Sequence, residues 1–264
     1  AASATSRGAV AGQGMMGYSN PPEQVAAGLL QRCWARAYII VDQATGKRVV
    51  FLTADIACLF QSHHMGLMEK LSKRFGSLYT ERTSTSTRSI RTPPAAEPPG
   101  TTRIRSPPSA SRRTPMTPRS TACSPPSCGP TTTLPPGTIT IGREELHNAS
   151  ANRSRVAFDA NPSSDKKLFP NAIDPQVTVL RLRHVDGKDV GAITWFSTHG
   201  TSLADHNVLI AGDNKGGYAS YLWERTQPGF VAAFPQTNSG DMTPQPVPEV
   251  VHAEWTDHRQ QAQL

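Results

Sequence analysis

The 264 residues are 37% hydrophobic and carry a formal net charge of +7, and that charge is confined to one stretch. Residues 82–134 hold eight arginines, no lysine and one acid, Glu97, with eleven of the 23 prolines, while the rest of the chain balances 19 basic against 19 acidic side chains. The remainder is therefore not marked as a partner of nucleic acid, and no apolar run approaches the roughly 20 residues of a membrane-spanning helix.

The length allows one large domain or two small ones. Residues 1–6 (Ala-Ala-Ser-Ala-Thr-Ser) have the small-residue character of a segment that follows a cleaved leader. Gly8, Gly12, Gly14 and Gly17 punctuate residues 7–19 and predict loop. Residues 35–41 and 48–54 are apolar, β-branched runs that predict two buried strands joined by a turn at 42–47. Apolar residues at 65, 67, 68, 71 and 75 predict an amphipathic helix over 62–75 that stops at Gly76. His63 and His64 fall in its first turn as solvated residues. Cys33 and Cys58 sit in or beside apolar runs, as buried thiols rather than a bridge. Cys123 and Cys128 lack the second pair or the histidines that a zinc site requires.

The stretch 82–134 has too little apolar surface to offset the cost of ordering. It is either a natural Ser/Thr/Pro-rich linker, disordered by composition, or a segment translated out of frame. Regular pattern resumes at 138–141 and continues with alternation at 176–183 and 190–196, the last two joined by a turn at 185–188. Residues 214–225 predict a helix carrying Tyr218, Tyr221 and Leu222, and 230–234 a short buried strand. Residues 245–264 hold no periodic face and predict an unstructured tail. Strands interleaved with helices predict an α/β fold, a layered mixed sheet with flanking helices, over 1–244.

Two strand ends carry candidate chemistry, because open α/β sheets bind ligands where strands end. At 196–202 (Phe-Ser-Thr-His-Gly-Thr-Ser) a histidine stands where a buried strand breaks into small polar residues. His199 is there either a metal ligand or a satisfied structural histidine. At 237–243 (Thr-Asn-Ser-Gly-Asp-Met-Thr) an acid and hydroxyls take the same place, with Thr243 a turn residue before Pro244 or a nucleophile.

Six segments in order, Gly14-Met-Met-Gly-Tyr18, Ala151-Asn-Arg-Ser154, Ala160-Asn-Pro162, Thr198-His-Gly-Thr-Ser202, Gly212-Asp-Asn-Lys-Gly216 and Gln236-Thr-Asn-Ser-Gly-Asp-Met-Thr-Pro244, resemble the neutral/alkaline non-lysosomal ceramidase family. The resemblance runs over about 8–81 and 136–244. It implies a secreted zinc amidase that hydrolyses ceramide to sphingosine and a fatty acid, taking its substrate from a membrane surface. It implies that His199 is a Zn2+ ligand and that Thr243 stands where the family has a catalytic serine. Arg153 falls on the substrate-contacting arginine, and Gly17 lies in a pocket-lining loop. The chemistry suits these types: zinc lowers the pKa of bound water to about 7 and polarises a carbonyl, and a guanidinium stabilises an oxyanion or a carboxylate.

The chain departs from that pattern twice. The family's other amino-terminal zinc histidine belongs to a His-Thr-His-Ser motif expected soon after Glu81, and this chain has no histidine between His64 and His147. Codons consistent with Arg88-Ser-Ile-Arg-Thr-Pro-Pro94, read one nucleotide earlier, allow Lys-His-Thr-His-Ser-Thr, with histidines at positions 90 and 92. A frameshift near Arg82, compensated near Leu134, explains the missing motif and the arginine and proline excess together. The family's remaining ligands, a glutamate and a tyrosine, lie beyond the resembling segment. The expectation is a chain inactive or nearly so, since catalytic zinc takes three or more protein ligands. Two other classes stay open: a non-catalytic lipid-binding fragment, and a binder of nucleic acid or acidic surfaces acting through the Arg-rich stretch. The second lacks the aromatic interleaving that single-stranded nucleic acid requires.

Overall fold

The computed structural model describes residues 1–5, 11–12, 15, 25–89, 134–203 and 206–244. After β1 (Ala2–Thr5) and the two-residue β2 (Gly28–Leu29), the apolar runs form β3 (Trp34–Val41) and β4 (Arg48–Asp55), an antiparallel hairpin. Its turn is fixed by Asp42, which accepts bonds from the Ala44 amide and the Thr45 hydroxyl, and by Gly46 at φ 68°. Helix α1 (Gln61–Phe75) follows and ends on Gly76 at φ 61°, the left-handed conformation that glycine adopts without a Cβ penalty.

The chain then returns in β5 (Ser84–Ser89), parallel to β4 with Ser89 opposite Asp55, to give the sheet order β1-β3-β4-β5. This strand corrects the expectation that the fold breaks at residue 82. Ser84-Thr-Ser-Thr87 has no large apolar residue, but Ser84 is buried, and the Thr53 and Thr87 hydroxyls meet at 3.1 Å across the sheet. Cross-strand threonine pairs of this kind stabilise a sheet without aliphatic bulk. The remainder of the 82–134 stretch, with Cys123 and Cys128, and the tail at 245–264 lie outside the described residues.

Helix α1 buries none of its residues, and Met65 is 59% exposed, so its apolar stripe is only half covered. His63 caps it, its Nδ1 accepting the Phe60 amide at 3.1 Å while the rings stack. His64 is not merely solvated: its Nδ1 lies 3.1 Å from the Ser86 hydroxyl and ties the helix to β5. Cys33 and Cys58 are half-buried and are not bridged.

The second half comprises β6 (Gly137–Glu145), β7 (Ser150–Asn152), α2 (Arg155–Asp159), α3 (Ser163–Lys166), β8 (Gln176–His184), β9 (Asp189–Trp195) and β10 (Leu209–Ile210). A wide π-type helical turn, Asp213–Ala219, then runs into α4 (Ser220–Thr226), followed by β11 (Val231–Ala233) and β12 (Met242–Pro244). The main sheet here has the order β11-β9-β8-β6, with β11 parallel to β9 and the others antiparallel. Two small pairs complete the topology, β10 parallel to β2 and β12 antiparallel to β7.

The fold is α/β with mixed sheets, and the core lies where the two four-stranded sheets meet. Tyr38, Ile193, Val231 and Ala233 are buried there, with Phe51, Leu180, Leu182 and Trp195 packed around them. Phe51 meets Trp195 edge to face at 5.6 Å, the arrangement that ring quadrupoles favour. The Tyr38 hydroxyl lies 2.9 and 2.8 Å from the Ala192 and Val231 carbonyls, and burial pushes its ionisation up. Arg36 is also buried. It donates two bonds to Asp55 at 3.0 and 2.9 Å, and two to Glu224 at 2.7 and 3.2 Å, joining β3, β4 and α4.

Candidate functional site

The carboxyl ends of four strands converge on residues 212–217. Strand β9 runs into Phe196 and β11 into Gln236, and those two residues form a parallel bridge. Lys215 Nζ reaches both, donating to the Phe196 carbonyl at 2.5 Å and to the Gln236 side-chain oxygen. From the other sheet, β4 ends at Asp55, against Gly216 so closely that a Cβ on that glycine would fall on the carboxylate. Strand β5 ends beside Asp55 at Ser89. Gly217 takes a side-chain bond from Gln31 through its carbonyl. The run Gly-Asp-Asn-Lys-Gly-Gly is thus read by backbone closeness, which explains its glycines.

This turn shapes the loop that carries His199. Asp213 is buried, with φ 54°, a left-handed conformation that Asp tolerates better than most residues. Its carboxylate accepts the backbone amides of Ser202 at 3.0 Å, Leu203 at 3.2 Å and Asn214 at 2.6 Å. The Asn214 side chain donates to the His199 carbonyl at 2.9 Å and to the Ser202 hydroxyl at 3.0 Å. The predicted helix begins at Asn214 and leaves Asp213 outside it, and the resemblance carried by Gly212–Gly216 assigns neither residue a role. Their signal in the sequence is an acid, an amide and a lysine in succession between glycines.

His199 is buried, and its partner is the Met242 carbonyl, which takes the His199 backbone amide at 3.1 Å and lies 2.5 Å from Nδ1. A carbonyl only accepts, so Nδ1 is the donor, and in a neutral ring that tautomer puts the lone pair on Nε2, the atom that can ligate a metal. Met242 is the Cα partner of Asn152, and Thr243 that of Ala151. The Arg153 amide donates to Asp241 O at 3.0 Å, and the Asn152 amide group to Asp241 Oδ2 at 2.6 Å and the Ala172 carbonyl at 2.9 Å. The Thr243 hydroxyl lies 3.2 Å from that of Thr201, two residues past His199. Pairing of β12 with β7 therefore sets Thr243 beside the His199 loop and the backbone of Arg153, an exposed residue, at the end of the same strand pair. Gly17 and most of its motif lie outside the described residues.

The surroundings are polar to an unusual degree. Among the described residues Ser150 Oγ, Thr198 Oγ1, Thr237 Oγ1, Asn214 Oδ1 and Gln236 Nε2 are buried with no hydrogen-bond partner, whereas most buried polar groups in folded proteins are satisfied. Burial lowers Lys215 to about 7. A depression of about 480 Å³ flanks β7, lined by Ser150, Ala151, Asn152, Arg155 and Ile173 among others. The donor set does not complete a metal centre: among the described residues no group of three or more His, Cys, Asp or Glu side chains is placed to hold a cation. The carboxylate of Asp213 is already committed to backbone amides.

Comparison with known proteins comes from three sides. The family described as neutral/alkaline non-lysosomal ceramidase, N-terminal, matches residues 2–89 and 129–259. That match reaches past residue 244, where the sequence pattern was read as ending. Neutral ceramidase of Pseudomonas aeruginosa is 35% identical over 263 residues, covering 90% of this chain and 35% of that protein. Neutral ceramidase of Mycobacterium tuberculosis is 34% identical, covering 90% of this chain and 38% of its own length. The crystal structure of the Pseudomonas aeruginosa neutral ceramidase superposes with a TM-score of 0.76 at 29% identity, covering 98% of this chain and 41% of that one. The chain thus spans under half the length of the relatives it matches.

Proposed function

The chain belongs to the neutral/alkaline non-lysosomal ceramidase family, and from that premise we propose that it carries the amino-terminal share of an amide-hydrolase site for N-acylsphingosines. Its contribution is the imidazole of His199, the hydroxyl of Thr243 and the guanidinium of Arg153. The supporting observation is Met242, whose carbonyl bonds His199, with Thr243 next on its strand and Asp241 before it accepting the Arg153 backbone amide. In this reading Thr243 contributes the hydroxyl at the scissile amide, and Arg153 pairs with the developing oxyanion or the carboxylate product. Among the described residues no helix is long and apolar enough to cross a membrane, and the substrate is met at a bilayer surface.

Zinc is the metal such a site takes; when bound it acts as a Lewis acid and yields hydroxide near neutral pH. Among the described residues no group of side chains completes a site for it. The proposal therefore includes catalytic silence: by itself this chain holds less than one zinc per molecule and leaves ceramide intact. Elemental analysis and a ceramide-hydrolysis assay on the purified chain test this, together with binding to ceramide-bearing vesicles. Expected are substoichiometric zinc, no turnover, and ceramide-dependent binding weakened by Arg153→Ala. Zinc-dependent turnover abolished by His199→Ala would overturn the silence but keep the site. Turnover or binding indifferent to both substitutions would overturn the site.

A further inference from the structure

We infer that the loop spanning residues 153–171 is a membrane-inserting knob that seats this chain on an anionic lipid surface. The step rests on the amide-hydrolase reading above, which makes a bilayer the place where substrate is met.

The loop is an excursion with a pinned neck. It leaves β7 after Asn152 and returns at Ala172, and the Asn152 side-chain amide closes the gap by donating to the Ala172 carbonyl at 2.9 Å. The same group donates to Asp241 Oδ2 at 2.6 Å, one residue before the strand that carries Thr243. Ala172 is buried with φ 58°, a conformation uncommon for a residue with a Cβ, so the chain turns sharply where it rejoins the body. Between these ends Lys166 straps α3 to α2, its Nζ donating to the Asp159 carbonyl at 2.8 Å. Loops closed at the neck and packed on themselves are frequently functional.

What the loop presents is unlike a solvated surface. Residues 153–171 are exposed apart from Phe158 and Lys166, which are half-buried. Val156 is 89%, Leu168 73% and Phe169 44% exposed. Among them stand four cations, Arg153, Arg155, Lys166 and Lys167, against the acids Asp159 and Asp165, a local charge of +2. Apolar side chains interleaved with cations are the chemistry of an interfacial anchor: the first enter the acyl boundary, and the second meet anionic headgroups. A second copy fits poorly, since a symmetric contact through this loop sets +2 against +2. Another protein fits no better, because three apolar side chains fall short of the roughly 800 Å² per partner that a stable interface covers. A bilayer asks for no matching shape. Position agrees with it: the neck is tied to the strand pair that holds Thr243, so an inserted knob brings that pair to the lipid surface.

Hydrogen–deuterium exchange of the purified chain with phosphatidylcholine–phosphatidylserine vesicles tests this. The vesicles hold no ceramide, so the outcome does not depend on recognition of N-acylsphingosines, and the two readings fail separately. Protection of the amides of 155–169 is expected on adding vesicles. Cosedimentation is expected to weaken by about tenfold or more for Leu168→Ser/Phe169→Ser, and by about fivefold for Lys167→Gln. All three side chains are exposed, so the fold is spared. Protection confined to residues 82–134 would assign adsorption to the arginine-rich stretch and overturn the proposal. So would an absence of binding, or binding indifferent to the double variant. Protection that grows with protein concentration in the absence of vesicles would overturn it too, by assigning the loop to a second copy.

Discussion

Lys215 is 4% exposed and has no carboxylate among its hydrogen-bond partners. A neutral amine has two N–H groups, and the structure offers two acceptors, the Phe196 carbonyl and the Gln236 side chain. Desolvation lowers this lysine to about 7, against about 10.4 for an unfolded lysine. The sign follows from proton counts. Between those values the unfolded chain binds a proton that the folded chain does not, so stability rises with pH across the window and levels off above it. Urea unfolding between about pH 7 and about pH 10 is expected to show a gain of roughly 3 kcal/mol, at most, for the natural chain relative to Lys215→Met. Parallel pH profiles for the two proteins would show that the amine stays charged. The glycines around Lys215 could be read from sequence as a motif, but burial of a lysine could not, because nothing local distinguishes it from a solvated one.

At the level of elements, legibility followed aliphatic content. Strands β3, β4, β8 and β9 announce themselves by apolar periodicity and form within a residue or two of the prediction. Strand β5 does not, because its Ser/Thr alternation is stabilised by hydroxyl pairing. Strands β7 and β12 are three residues each and exist through tertiary pairing. The helix expected at 214–225 opens as a π-type turn, where glycines let the backbone approach Asp55 and Gln31. What ties these elements together is ionic. Arg36 is buried between Asp55 and Glu224, Trp34 donates its amide to Asp55 at 2.9 Å, and Ala232 donates to Glu224 at 3.1 Å. The two acids hold the guanidinium protonated against the desolvation that opposes it. Arg36→Met leaves two carboxylates facing each other without a cation, and is expected to cost about 3–5 kcal/mol. A chemical denaturation midpoint unchanged within error would show that the network adds nothing to the fold.

Across the whole molecule, the two sheets meet at the carboxyl ends of their parallel strands, the end of an open sheet at which ligands bind. Strand β5 finishes at Ser89, beside Asp55, which abuts Gly216, one residue from the lysine that pins Phe196 and hence the His199 loop. For the proposed zinc site, a second ligand is to be sought past the end of β5, whose last residue, Ser89, pairs with Asp55. There a one-nucleotide shift of frame turns the arginine-rich reading into His-Thr-His-Ser. Composition leaves a linker and a frameshift both open, and the shifted codons, which restore the motif at the expected place, favour the frameshift. Resequencing the gene across residues 82–134 is expected to show the shifted frame. The protein-level counterpart is the double variant Ile90→His/Thr92→His. A single imidazole is a weak zinc site and added ligands tighten it steeply, so zinc affinity is expected to rise by about tenfold or more. Isothermal titration reads the effect, and His199→Ala in the double variant is expected to cancel it. A rise that survives His199→Ala would place the new histidines away from the β9 loop and separate the frame of the gene from the geometry of the site.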